Sequence, residues 1–224
     1  MNLTILGFSH SPFCIAVEKA LNAIGAAYVS KEVPAWDRRE ILTLTDGHAY
    51  EVPLLVHGEI PVYEKTADSQ EIATYIDRHF ASGRLFPNEF RGLHEVVIRY
   101  LENDVEDVTF RIFDPFFVDS IEDIAERGML IRHKERKFGR GCVERWRREH
   151  EGLLDAAKRV LGPLNERLEC TGAFLFGEAP VYADFLLGGI LGNLTYSGYH
   201  SIPSGLEAME SFQARLEAYR YGVI

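Results

Sequence analysis

Cysteine is scarce in this chain. Three occur in 224 residues, Cys14, Cys142 and Cys170. So few and so scattered, they make neither a disulfide framework nor a zinc knuckle, and no metal is expected. A reducing compartment is the simplest setting. Positive charge is short as well. The 24 Lys and Arg stand against 34 Asp and Glu, a formal net charge of −10, which argues against nucleic acid and an anionic membrane surface as partners. Long apolar runs are missing. The longest, Phe185 to Leu194, is interrupted by Gly188, Gly189, Gly192 and Asn193 and falls well short of the ~20 residues of a bilayer span. No basic leader or small-residue cleavage site is visible, because Asn2 leads straight into a strand pattern. A cytoplasmic protein is expected. Internal repeats and low-complexity segments are absent too.

What is present is ordinary for a globular chain, 46% hydrophobic with 26% charged. The informative stretch is residues 3 to 25. Leu3, Thr4, Ile5 and Leu6 form an apolar run suited to a strand buried on both faces. Ser9, His10 and Ser11 make a polar turn, and Pro12 stands where a helix begins, a position at which its missing N–H costs nothing. Phe13, Ile15, Ala16, Val17, Ala20, Leu21 and Ile24 then follow helical spacing up to Gly25, a natural stop. This strand, turn and helix gathers two hydroxyls and a thiol where free N–H groups and the helix dipole favour an anion.

Residues 26 to 33 read as a second strand, and residues 35 to 45 as a weak helix. Residues 53 to 63 make a hairpin headed by Pro53, and a helix follows from about Asp68, with Asp68 or Ser69 as its cap. The order β-α-β-α-β-β-α predicts a thioredoxin-like α+β domain over residues 1–80. Residues 81–88 then read as a linker, and residues 89–224 as an all-helical domain. In that domain Leu93 to Phe113 is helical and is broken by Asp114-Pro115. Cys142 to Leu168 is one long helix kinked at Gly162-Pro163, Ala183 to Leu194 is a central buried helix, and Leu206 to Tyr219 is a last amphipathic one.

Several motifs carry a resemblance. Ser11-Pro12-Phe13-Cys14 resembles the glutaredoxin active site with serine in place of the first cysteine. Val52-Pro53 heads the third strand, and Asp68-Ser69 precedes Glu71-Ile72 and Tyr75-Ile76. Phe174 to Gly177 is followed by Ala179-Pro180-Val181-Tyr182-Ala183-Asp184, with Val181 where a Ser or Thr cap is usual. Together with the domain order, these are similar to the serine-type cytosolic glutathione transferases, and residues 135–142 with Trp146 resemble their etherase-like branch.

The resemblance implies glutathione as co-substrate, an apolar electrophile, a homodimer and a cis bond before Pro53. It implies Ser11, or alternatively Ser9, as the hydroxyl that donates to the glutathione thiolate. Making a thiol of reference pKa near 8.5 mostly thiolate at neutral pH takes about 2.7 kcal/mol. A charged hydrogen bond supplies about 1.5–3 kcal/mol and a helix N-terminus about 0.3–1 kcal/mol, so no general base is needed. Val52 and Pro53 would meet the cysteinyl unit, Asp68 and Ser69 the γ-glutamyl group, and Arg38 or Arg39 the glycyl carboxylate, with Phe13 also at the glutathione site. Cys14 is either a small buried apolar group or a nucleophile, and His10 reads as an exposed turn residue. Phe110, Phe113, Phe116 and Phe117 line the pocket or belong to the core. A glutathione-dependent thiol oxidoreductase, an ether-cleaving enzyme and a non-catalytic binder stand as alternatives.

Overall fold

The computed structural model describes residues 2–66 and 69–222. The N-terminal part runs β1 (Leu3–Gly7), α1 (Pro12–Ile24), β2 (Tyr28–Glu32), α2 (Arg39–Leu44), β3 (Leu54–His57), β4 (Ile60–Val62) and α3 (Glu71–Ile76). Its sheet has the order β2-β1-β3-β4. β1 pairs parallel with β2, Leu3 opposite Tyr28, and antiparallel with β3, Leu3 opposite His57. This is the expected thioredoxin-like arrangement. The parallel pair requires the α1 crossover. The central strand β1 is buried along most of its length, whereas β2 at the edge is mostly exposed.

The rest is helical: α4 (Leu93–Tyr100), α5 (Glu106–Ser120), α6 (Ile124–Phe138), α7 (Cys142–Arg148), α8 (His150–Thr171), α9 (Tyr182–Leu194) and α10 (Glu207–Ala218). A π-helical turn, Leu101–Val105, joins α4 to α5. Two helix boundaries differ from the sequence reading. Asp114-Pro115 does not end a helix, since α5 continues through Pro115 to Ser120. Burial of Ile112, Phe113, Pro115 and Val118 around that point offsets the ~3 kcal/mol that an internal proline costs. The helix expected from Cys142 to Leu168 is instead two helices, separated at Glu149, and the second passes through Pro163.

The centre of the molecule is α9, which is buried on every side, as a stretch apolar on nearly all sides predicted. It packs along α1, and one core cluster joins Leu3, Val17 and Leu21 to Leu186, Ile190 and Leu191. The start of α9 is fixed by the Asp184 carboxylate, which accepts from Val181 N at 2.9 Å and Leu175 N at 2.8 Å. So the aspartate performs its share of the capping although Val181 has no hydroxyl to answer it.

Candidate active site

The turn between β1 and α1 is held from both sides. Ser11 N donates to Phe8 O at 3.0 Å, and Asn193 of α9 donates its side-chain N–H to His10 O at 2.7 Å. Ser11 occupies the N-cap with an extended backbone, and Pro12 follows as the first helical residue. The Ser11 Oγ accepts from Cys14 N at 3.4 Å, a long bond. The same hydroxyl is within hydrogen-bond reach of the Cys14 thiol, and Ser11 stands at the wall of a cavity of about 260 Å³. Ser9 differs. Its hydroxyl lies 2.9 Å from the Tyr196 hydroxyl, and it does not line the cavity.

Cys14 is turned inward. Its sulfur occupies the space beside Gly7 in which a Cβ would stand only 2.3 Å away, so a side chain at residue 7 would displace it. Burial pushes the Cys14 thiol up to about 11, the opposite of what a nucleophilic cysteine needs. His10 is not an exposed turn residue. It stacks on Phe8 at 5.2 Å and meets Phe117 at 4.0 Å between ring centroids, and burial with the nearby Lys134 pulls its imidazole down to about 4. A neutral imidazole therefore lines the cavity at physiological pH. The sequence pattern Ser-His-Ser held no sign of this, because the covering rings come from α5, about a hundred residues away.

The Val52–Pro53 bond is cis, and Val52 borders the cavity with Phe13. Asp68 lies outside the described residues. Ser69 is not the cap of α3. Its hydroxyl lies 2.7 Å from Glu64 Oε2, and the Glu64 carboxylate itself accepts from Glu71 N at 2.8 Å and Ile72 N at 3.2 Å. Glu64 thus satisfies the free N–H groups of α3 from seven residues upstream. Sequence reading missed it, since capping patterns are sought within about three residues of a helix start.

The two arginines separate clearly. Arg39 is exposed and bonds Asp37, its Nε at 3.0 Å from both carboxylate oxygens. Arg38 lines the cavity instead, its guanidinium 4.4 Å from the Phe8 ring centroid and 5.5 Å from that of Tyr50. Its buried Nε and Nη1 have no hydrogen-bond partner among the described residues. Buried donors of this kind are costly to leave unmade, so Arg38 is poised for an anionic ligand. The opposite wall comes from α5 and α6. Glu106, Phe110, Asp114 and Phe117 recur on one face of α5, and Met129, Leu130, His133 and Lys134 face them from α6. Phe113 lies behind in the core, and Phe116 packs on His200 away from the cavity. Among the described residues no cluster of metal-ligating side chains forms.

Residues 6–84 match the glutathione S-transferase N-terminal domain. The match is confined to the N-terminal part of the chain. Over its whole length the chain has the fold of solved family structures. Glutathione transferase GSTFuA3 from Phanerochaete chrysosporium aligns with a TM-score of 0.80 at 17% identity, covering 100% of this chain and 99% of that one. A glutathione S-transferase of Ceriporiopsis subvermispora in complex with glutathione aligns with a TM-score of 0.78 at 15% identity, covering 98% and 99%. Glutaredoxin 2 from Salmonella typhimurium in complex with glutathione gives 0.72 at 19% identity, covering 96% and 94%. No curated protein sequence matches the chain.

Proposed function

We propose that the protein is a glutathione transferase that joins the glutathione thiolate to an aromatic or otherwise apolar electrophile. The observation that carries this reading is the Ser11 hydroxyl, which stands at the N-cap of α1 on the cavity wall. In this reading Ser11 donates to the thiolate, with the α1 dipole adding to its stabilisation. The backbone of Val52, held by cis-Pro53, meets the cysteinyl unit. The γ-glutamyl end lies toward Ser69 and Glu64, and Arg38 rather than Arg39 takes the glycyl carboxylate. Phe8, Phe110 and Phe117 supply an apolar surface for the electrophile. Cys14, buried and protonated, supports no dithiol chemistry.

Bound glutathione should show thiolate absorbance that titrates well below the free thiol. Ser11→Ala should raise that bound pKa by about one to two units, the loss of one charge-assisted hydrogen bond, and lower turnover at pH 7 by roughly ten- to hundredfold. Cys14→Ala should leave the titration in place. No saturable calorimetric binding at millimolar glutathione would remove the reading altogether.

A further inference from the structure

The cavity that Ser11 lines also holds a carboxyl group that neither the fold nor thiolate stabilisation requires. Glu106 is the first residue of α5, directly after the π-helical turn, and lines the cavity one turn before Phe110 and two before Asp114. The two carboxyls are treated differently. Asp114 is paired with Lys134 Nζ at 2.5 Å. No described residue hydrogen-bonds the Glu106 carboxyl. The charged and titratable groups around it are Asp107 and Asp114 on its own helix, and Glu126, His133, Lys134, Arg136 and Lys137 on α6. His10 and Arg38 face it from the N-terminal part. Lys134, the largest influence of opposite sign, is already committed to Asp114. Burial, reinforced by Asp114 and Asp107, holds the Glu106 carboxyl up at about 7 against the pull of Lys134 and Lys137. An acid that keeps its proton to neutral pH, unbonded and facing a ligand cavity, is suited to proton transfer.

We propose that Glu106 is the proton donor of the reaction, serving aromatic electrophiles that must gain a proton when the sulfur attacks, such as aryl-conjugated enones. The inference rests on the transferase reading and assigns the other half of its chemistry. The glutathione sulfur forms a bond to the β-carbon, and the C=C π pair moves toward the carbonyl to give an enolate. Glu106 then delivers its proton to the α-carbon and becomes a carboxylate. Glutathione has released its thiol proton to solvent on ionising, and solvent returns one to Glu106, so the cycle balances. Aromatic walls at Phe8, Phe110 and Phe117 hold the aryl group between the two reacting sides. Displacement of chloride from a chloroarene needs no such proton, because chloride departs as the anion.

The test compares two probes with the full-length protein and glutathione, 4-phenyl-3-buten-2-one and 1-chloro-2,4-dinitrobenzene. In the unmodified protein, enone addition should rise with thiolate formation and fall again above about pH 7 as Glu106 ionises, whereas chloroarene substitution should rise to a plateau. Glu106→Gln should abolish the descending limb and lower the ratio of enone to chloroarene turnover by about 10²-fold, the low end for a general acid. Glu106→Asp, which keeps a carboxyl on a shorter arm, should recover part of that ratio and guards against a folding defect in the glutamine variant. Equal losses on both probes, or a descending limb that survives Glu106→Gln, would overturn the role. Glutathione binding with no turnover of the enone would overturn it too. Absence of glutathione binding would instead remove the transferase reading beneath it.

Discussion

Two helices bound the site and could hardly differ more. Of the thirteen residues of α9 twelve are buried, whereas α6 has fifteen residues and none is buried. α9 acts from behind. It packs on α1 and ties down the Ser11 turn through Asn193. α6 acts from the front, lending Met129, Leu130, His133 and Lys134 to the cavity. What fixes α6 is the Asp123 cap on Glu126 N at 2.8 Å, the Lys134–Asp114 pair and, at its end, Phe138 packed on Phe110 and Trp146. With no residue of its own fully buried, α6 is the wall that costs least to displace or to vary. The difference separates two tasks. On the proposed function, the wall that would activate the thiol is held by core packing, and the wall that would meet the electrophile is the one with the least buried surface.

The sharpest way to break that division is at Gly189. A Cβ there would stand 2.1 Å from Pro12 O and 2.9 Å from Ala16 N, so α9 approaches the first turn of α1 with no room for a methyl group. Backbone cannot step aside as a side-chain tip can. Gly189→Ala should therefore destabilise the fold by about 3 kcal/mol, the upper range of overpacking, and loosen the Ser11 turn with it. Gly192→Ala is the comparison, because its Cβ meets only the Ile15 side chain, Cγ2 at 3.2 Å and Cδ1 at 3.5 Å. It should cost about 1 kcal/mol or less. Urea unfolding of the two variants measures the contrast, and equal losses would show that α1 and α9 are not so closely coupled.

A smaller effect comes from pH at the start of α9. His94 is buried, and its Nε2 accepts from Ala183 N at 2.9 Å, so it must be neutral there. Burial lowers its pKa to about 4. The sign follows directly. Between about pH 4 and 6.5 the unfolded chain binds more protons than the folded one, so stability is full above about 6.5 and is lost as the pH falls. At pH 5 this group accounts for about 2 kcal/mol of lost stability relative to pH 8. Chemical denaturation at the two pH values should show it. His94→Gln should shrink the loss by about that amount, even if the variant starts from lower stability.

The contrast between the two helices was only half legible in the sequence. The α9 core helix was plain from an apolar run with no polar face, and Ser11, Pro12 and Gly25 marked both ends of α1 through local rules. Fold class followed because strand and helix periods are local properties. The parts that escaped depend on distant partners. Proline in α5 looked like a stop because sequence shows its lost N–H and not the core packed around it. Adjacent arginines look alike in sequence, yet Asp37 holds Arg39 outward while Phe8 and Tyr50 receive Arg38. In the sequence Glu106 is one of several acidic residues between Glu102 and Asp107, and the cavity that sets it apart is closed by residues from widely separated stretches, Phe8 to Asn193.

The smallest predicted effect sharpens the comparison at its weak side. Met129 lies on α6, borders the cavity and is 51% exposed. Truncating it removes little buried surface, so Met129→Ala should change unfolding free energy by no more than about 0.5 kcal/mol, as for other exposed positions. If α6 forms the electrophile wall, the same truncation removes apolar contact from the bound co-substrate. Its KM should rise by roughly two- to fivefold, the effect of about one methylene of lost burial. Glutathione affinity should stay put, because no glutathione-facing group is on this helix. Steady-state kinetics with each substrate varied in turn separates these outcomes. A variant that loses stability as a core substitution does, with both KM values unchanged, would show that α6 belongs to the scaffold and that the two helices share one task.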